Sequence, residues 1–159
     1  MDDDLPDLTT PTDLTGDLDD AGAYRPTIST QADLERLWRV LMRPLGFAET
    51  SLWAMLLDAD DRPLPVLTEI TDLAHLPDPG ETRSMAAFLG DLVAEHVPGG
   101  RVALLRTRPG RGRARPEDLA WAAALHTALA GADVPAHVLH LATDDQVLPL
   151  PLDALPVSA

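Results

Sequence analysis

The sequence predicts a single α/β domain, a three-layer arrangement in which helices flank a mixed β-sheet. Helical and extended patterns alternate in the order helix, strand, strand, helix, strand, helix, strand, strand, which is typical of a sheet with helices packed on it. The short run Val102-Ala103-Leu104-Leu105 is apolar throughout, as expected for a strand buried on both faces. The 159 residues suffice for one such domain with a substantial core and are too few for two.

Segments at both ends are predicted to lie outside this domain, which spans residues 29–150. Residues 1–28 form an acidic tail, and residues 151–159 form a short C-terminal tail. Eight of the 26 acidic residues lie in the first twenty positions, and this stretch has no helical or alternating apolar pattern, so we expect it to be disordered. The leucines in the tail also allow an alternative, in which the tail covers the chain's own basic residues.

The N-terminal half of the domain is predicted to be a helix followed by an antiparallel hairpin. Thr30 is a suitable N-cap, because Asp33 follows three positions later and apolar residues recur at helical spacing as far as Leu41. Strands are predicted at 51–57 and 64–70. The residues between them are rich in aspartate and end in proline, a composition that favours a tight turn.

The C-terminal half is predicted to alternate helix and strand. A helix begins near Glu81, and the apolar strand described above follows it. The next helix opens with Pro116 and two acidic residues, and Gly131 is expected to close it as a C-cap glycine. Residues 134–142 are predicted to form a strand, and residues 146–150 a short last strand.

An arginine-rich loop, residues 106–115, joins the buried strand to the helix that begins at Pro116. It holds five of the chain's twelve basic residues, all of which are arginines. Open α/β sheets commonly bind ligands at the loops that follow their strands, and backbone amides at a helix start attract anions. The sequence therefore indicates that this loop binds a partner.

Two short stretches carry a resemblance to a known family. Glu49 lies just ahead of the strand that ends in Leu57, and Arg-Thr-Arg-Pro-Gly at 106–110 is followed by Ala-Arg-Pro-Glu-Asp at 114–118. With the order of elements, these stretches resemble RadC-like members of the JAB/MPN (JAMM) metalloprotease-like superfamily. In that family a glutamate opens the first core strand, a His-x-His-Pro-Ser-Gly loop follows a later strand, and Pro-Ser-x-x-Asp begins the next helix. The resemblance implies a cytidine-deaminase-like fold for residues 30–150.

The resemblance also implies a degenerate form of that family's metal site. Glu49 takes the place of the acidic general base, and Asp118 that of the carboxylate metal ligand. Arg106 and Arg108 stand where the two metal-binding histidines belong, and a guanidinium has no lone pair to give to zinc. We therefore expect no metal, no cofactor and no catalysis. Arg106 or Arg108 is expected to turn inward and replace the metal's charge between Glu49 and Asp118.

The outer arginines of the loop, Arg111, Arg113 and Arg115, are expected to face outward and bind a partner. The first interpretation is a non-catalytic binding or assembly module whose ligand is an acidic protein segment or the chain's own N-terminal tail. The resemblance also implies a possible homodimer, since JAB-type domains often work in pairs. The alternative is a nucleic-acid-associated accessory protein that binds phosphates through the same loop, in line with the DNA-repair naming of the family. A metal-dependent hydrolase with altered ligands is the least favoured interpretation.

Composition excludes several other classes of protein. The chain has no cysteine, so disulfides, cysteine-ligated zinc and thiol catalysis are excluded. No apolar run is long enough to cross a membrane, and the acidic N-terminus is unlike a signal peptide, so we expect a cytoplasmic protein without membrane contact. His137 and His140 lie three apart on a predicted strand and therefore point to opposite faces, which argues against a shared metal ion.

Overall fold

The structure is a computed structural model that describes residues 26–150. Those residues form three helices and five strands in the predicted order. The elements are α1 (Gln31–Leu41), β1 (Ser51–Leu57), β2 (Pro63–Ile70), α2 (Pro79–His96), β3 (Arg101–Thr107), α3 (Pro116–Gly131), β4 (His140–Ala142) and β5 (Val147–Pro149). The predicted C-terminal tail and most of the predicted N-terminal tail lie outside the described residues.

The five strands form one mixed sheet in the order β2-β1-β3-β4-β5. β1 pairs antiparallel with both β2 and β3, while β4 runs parallel to β3 and antiparallel to β5. The predicted hairpin of β1 and β2 and the mixed α/β class are therefore confirmed. β2 and β5 are the two edges of the sheet, and prolines lie in both: Pro63 and Pro65 in β2, and Pro149 in β5.

Side chains of β1 and β3 alternate between two apolar cores, one on each face of the sheet. The core beneath α2 and α3 includes Leu52, Leu89, Leu104, Trp121 and Leu125. The core beneath α1 includes Leu34, Leu37, Trp38, Met55 and Leu105. Because the alternation continues to the end of β3, Arg106 lies on the same face as Leu104, toward α3.

α1 begins where the sequence predicts, at a reciprocal N-terminal cap. The Thr30 hydroxyl accepts a hydrogen bond from the Asp33 N–H at 3.1 Å, and the Asp33 carboxylate accepts one from the Thr30 N–H at 3.0 Å. Ile28, which falls within the range predicted as tail, is buried in the core beneath α1. Its N–H donates to the Asp61 carbonyl at 2.8 Å, so the described fold extends to this residue.

The predicted strand at 134–142 is wrong over its first part, because only His140–Ala142 is a strand. Upstream of it the chain makes a single parallel bridge to β3, in which the Val102 N–H donates to the Pro135 carbonyl and the His137 N–H donates to the Val102 carbonyl. Pro135 has no N–H to continue a ladder. His137 therefore lies outside the strand, and the prediction that it shares a strand with His140 was incorrect.

Two helix boundaries also differ from the predicted ones. α2 begins at Pro79, ahead of the predicted start, because the Asp78 carboxylate caps the backbone N–H three residues on at 3.0 Å. Gly131 is the last residue of α3 and not its C-cap glycine, since Ala132 occupies the cap. Asp133 takes the left-handed conformation instead, with φ of 56°. Within residues 26–150, no helix has the length and apolar character that a membrane span requires.

Candidate functional site

Asp118 is the centre of the candidate site and is fully buried. It is the third residue of α3, which opens with Pro116 and is preceded by Arg115 as N-cap. The Asp118 Oδ2 atom accepts a hydrogen bond from the Arg115 backbone N–H at 2.8 Å. This bond fixes the carboxylate against the positive end of the helix, where the backbone dipoles favour an anion.

Arg106, near the end of β3, makes the first side-chain contact with this carboxylate. Its Nε donates to Asp118 Oδ1 at 2.8 Å, and the residue is only 3% exposed. The guanidinium carbon lies 5.8 Å from the centre of the Trp121 ring, within the range of a cation–π interaction. Its Nη1 is buried and has no hydrogen-bond partner in the part of the chain that the structure describes. The N–H groups of Arg106 Nη1 therefore have no acceptor among the described residues.

Arg108 makes the second and more extensive contact. Its Nε lies 3.0 Å from both carboxylate oxygens of Asp118, and its Nη2 donates to Oδ2 at 2.8 Å. The same guanidinium donates to the carbonyls of Pro109 at 3.1 Å and Arg113 at 3.3 Å. One buried side chain thus joins α3 to the backbone of the arginine-rich loop.

Two buried guanidiniums and one backbone N–H hold Asp118 in its ionised form. Burial alone would raise the pKa of the Asp118 carboxyl, but hydrogen bonds from Arg108, the Arg115 N–H and Arg106 outweigh it and bring the pKa below its ordinary value. Two guanidiniums against one carboxylate leave one positive charge in excess. An uncompensated buried charge is costly, so this excess is available to attract an anion.

The structure brings both Arg106 and Arg108 inward, whereas the sequence predicted one or the other. Glu49 does not join them: its side chain is exposed and makes no hydrogen bond or ion pair within residues 26–150. Glu49 lies in the loop before β1, outside the register that pairs β1 with β3. Among residues 26–150, Asp118 alone supplies the negative charge for both arginines, and the predicted bridge to Glu49 is not formed.

The three outer arginines have a different environment. Arg111, Arg113 and Arg115 are all exposed. Within the described part of the chain, none of these three side chains donates a hydrogen bond, and none forms an ion pair with a carboxylate. The loop therefore has two inner arginines bound to Asp118 and three outer ones that are exposed.

The backbone of the arginine-rich loop is held by residues that the sequence reasoning missed. Asp144 accepts hydrogen bonds from the N–H groups of Gly110 at 2.8 Å and Phe47 at 3.1 Å, and these bonds lower the pKa of its carboxyl. Gln146 donates to the Gly112 carbonyl at 2.6 Å. The available signal was that the turn after β4 meets the loop after β3, because the ends of parallel strands share one edge.

A cleft of about 450 Å³ opens beside the inner arginines. One wall is the arginine-rich loop, and the other is the segment from Leu73 to His75, which Trp121 holds by donating its Nε1–H to the Ala74 carbonyl at 3.2 Å. Arg106 and Arg115 both line the cleft. Its volume lies in the range of small-ligand pockets.

The residues of the site do not fit a catalytic zinc ion. Both oxygens of Asp118 accept hydrogen bonds from guanidiniums, which cannot ligate a metal. Among residues 26–150, no three histidine, cysteine or acidic side chains are grouped so that they could hold a metal ion. The RadC-like resemblance rests on sequence positions, and a comparison with known proteins finds no protein-family model, curated protein or solved structure that matches the chain.

Proposed function

We propose that this chain is a non-catalytic binding or assembly module of the RadC-like JAB/MPN type, whose arginine-rich loop contacts an acidic partner segment. The observation that carries the proposal is that the five arginines of the loop fall into a buried, paired group and an exposed group. Arg106 and Arg108 are buried against Asp118, while Arg111, Arg113 and Arg115 are exposed and unpaired within residues 26–150. Unpaired guanidiniums on an anchored backbone are suited to carboxylates, which they bind through two parallel hydrogen bonds.

The absence of catalysis in this proposal follows from the residue chemistry at the positions of the family's metal ligands. By the resemblance, Arg106 and Arg108 correspond to the two histidines, and in the structure their guanidiniums donate hydrogen bonds to Asp118. Helices on both faces of a mixed sheet are also compatible with the cytidine-deaminase-like form of the fold. The proposed role is therefore binding alone.

The surroundings of the loop favour a protein partner over nucleic acid. Asp144 and Glu117 lie close to the outer arginines and would repel a continuous phosphate backbone. Residues 106–115 include no aromatic side chain on which a base could stack, and the whole chain carries a net charge of −14. An acidic protein segment, unlike a nucleic-acid backbone, can bind the loop through a few separate carboxylates. The chain's own N-terminal tail, or that of a second copy in a homodimer, has this composition.

The experiment measures the binding of a fluorescent peptide with the sequence of residues 2–20 to the full chain. The triple variant R111A/R113A/R115A is compared with R36A/R43A/R83A, which removes three exposed arginines elsewhere on the surface. Exposed ion pairs contribute up to about 1 kcal/mol each, so the loop variant is expected to bind about tenfold or more weakly. The control variant should bind like the wild type, and equal losses in the two variants would contradict the proposal.

The alternative function, phosphate binding to nucleic acid through the same loop, is tested with the same proteins. A labelled DNA duplex replaces the peptide, and the salt concentration is varied because phosphate contacts weaken steeply as salt rises. Binding of DNA that is tighter than binding of the peptide, and that R111A/R113A/R115A abolishes, would favour the alternative.

A further inference from the structure

The cleft beside the arginine-rich loop has the features of a built anion site. Arg106 lines it with a side chain that is only 4% exposed, and the Nη1 of this residue has no hydrogen-bond partner in the described part of the chain. The N-terminus of α3 opens beside the cleft, since Arg115 and Glu117 also line it. A buried donor without a partner is costly, so a ligand oxygen that bonds to Nη1 would offset that cost.

Both walls of the cleft are fixed by hydrogen bonds within the chain. Trp121 holds the segment that contains Ala74, and it also lies beneath the guanidinium of Arg106. The opposite wall is held by Asp144, which bonds the backbone of Gly110. The Arg115 guanidinium lies over Gly110, because a Cβ atom at that glycine would come within 2.6 Å of Arg115 Nη2. A ligand therefore meets a preorganised site and need not order the loop.

The charge of the cleft selects a monoanion. Among the side chains that line the cleft and the carboxylate paired with them, Arg106, Arg108 and Arg115 contribute three positive charges, and Asp118 and Glu117 contribute two negative ones; the charge of Asp144 behind the wall is opposed by nearby Arg111. A single negative charge balances the net charge of +1, whereas a phosphate dianion would leave an excess of negative charge next to two carboxylates. A planar carboxylate also matches the forked donors of a guanidinium.

We infer that this cleft binds one carboxylate group, between Arg106 and Arg115 and beside the N-terminus of α3. The inference deepens the proposed function, on which it rests for the source of the ligand: an acidic side chain of the partner segment inserts here while Arg111 and Arg113 contact the flanking acids. A free small carboxylate is the other source of the same chemistry. Thr50 and His75 line the cleft as further hydrogen-bonding side chains.

The test titrates the full chain with sodium acetate and, as a control, with sodium chloride at equal ionic strength. NMR spectra follow the backbone amides of Thr50 and His75 and the Nε–H of Arg106. Acetate is expected to give saturable shifts at these groups that chloride does not give. R115A and R113A form a matched pair, because both remove one exposed arginine from the same loop and only Arg115 lines the cleft. R115A is expected to weaken acetate binding about tenfold, and R113A less than about twofold.

Two results would overturn the inference. One is acetate shifts that do not exceed those of chloride; the other is equal weakening of acetate binding by R115A and R113A, which would indicate diffuse charge attraction.

A competition experiment between acetate and the peptide separates the inference from the proposed function. Displacement of acetate by the peptide of residues 2–20 supports insertion of a partner's carboxylate. Acetate binding that the peptide leaves unchanged supports a site for a free small carboxylate and counts against the acidic partner segment. Peptide binding that is sensitive to R111A/R113A/R115A, with no acetate site, preserves the proposed function and refutes the cleft.

Discussion

Replacing Asp118 by asparagine is the sharpest test of how the site is held together. Asparagine has nearly the same shape and still offers an oxygen to the Arg115 N–H, but it removes the one carboxylate within residues 26–150 that Arg106 and Arg108 share. Two buried guanidiniums then remain without a counter-charge. Breaking a buried ion pair by removing one partner costs about 3–5 kcal/mol, and here the loss falls on two arginines at once.

The expected loss in the free energy of unfolding for D118N is therefore about 3–5 kcal/mol, a large share of the total stability of a small domain. The measurement is urea denaturation of the full chain, followed by tryptophan fluorescence and circular dichroism. E117Q is the matched control, because it removes a neighbouring acid in the same helical turn that has no ion pair within the described residues. Its cost should be about 0.3–1 kcal/mol, from the helix dipole alone.

The pH dependence gives this prediction a second readout. The pKa of Asp118 is lower in the folded state than its ordinary value of 3.8, so its stabilising effect is complete above that value and is lost as the pH falls further. The stability difference between wild type and D118N should be constant from neutral pH to roughly pH 5 and should shrink below roughly pH 4. A loss of less than about 1 kcal/mol at neutral pH would refute the view that Asp118 neutralises the inner arginines.

Three further predictions concern the fold around the site. T30A removes the N-cap of α1 and should lower the free energy of unfolding by about 1 kcal/mol in urea denaturation. G110A forces a side chain into a left-handed position with φ of 99° and against the Arg115 guanidinium, so it should cost about 1–3 kcal/mol and weaken peptide binding. Burial lowers the pKa values of His137 and His140, so the free energy of unfolding should fall as the pH drops below about 6.5. The fall should reach up to about 1.4 kcal/mol per pH unit for each histidine, and H140Q should make it less steep.

The parts of the fold that the sequence predicted are those with local signals. The cap of α1 depends on Thr30 and Asp33, which are three residues apart, and the hairpin on two apolar runs that a polar turn separates. The strand predicted at 134–142 failed because Pro135 interrupts the ladder, although the apolar pattern continues on both sides of it. A pattern shows which residues are apolar, but it does not show which backbone groups have partners.

The meeting of Arg106, Arg108 and Asp118 has a local signal in the sequence, whereas the other contacts of the site do not. Arg106 and Arg108 are two positions apart, so they point to the same face of an extended chain, and this spacing explains why both reach Asp118. The contact of Asp144 with Gly110 spans 34 residues and depends on β3 and β4 being neighbours, which no local pattern reveals. Glu49 lies in the loop before β1, so strand register could not place it.

The prolines at the two edges of the sheet limit how this domain can associate with itself. Val66 is 64% exposed on β2, and an exposed apolar edge strand ordinarily invites a second sheet to pair with it. Proline has no backbone N–H, so Pro63 and Pro65 cannot donate a ladder hydrogen bond in β2, and Pro149 cannot donate one in β5. Edge-to-edge pairing of two copies is therefore less favourable than it would be for strands without proline. The same prolines disfavour growth into β-rich aggregates.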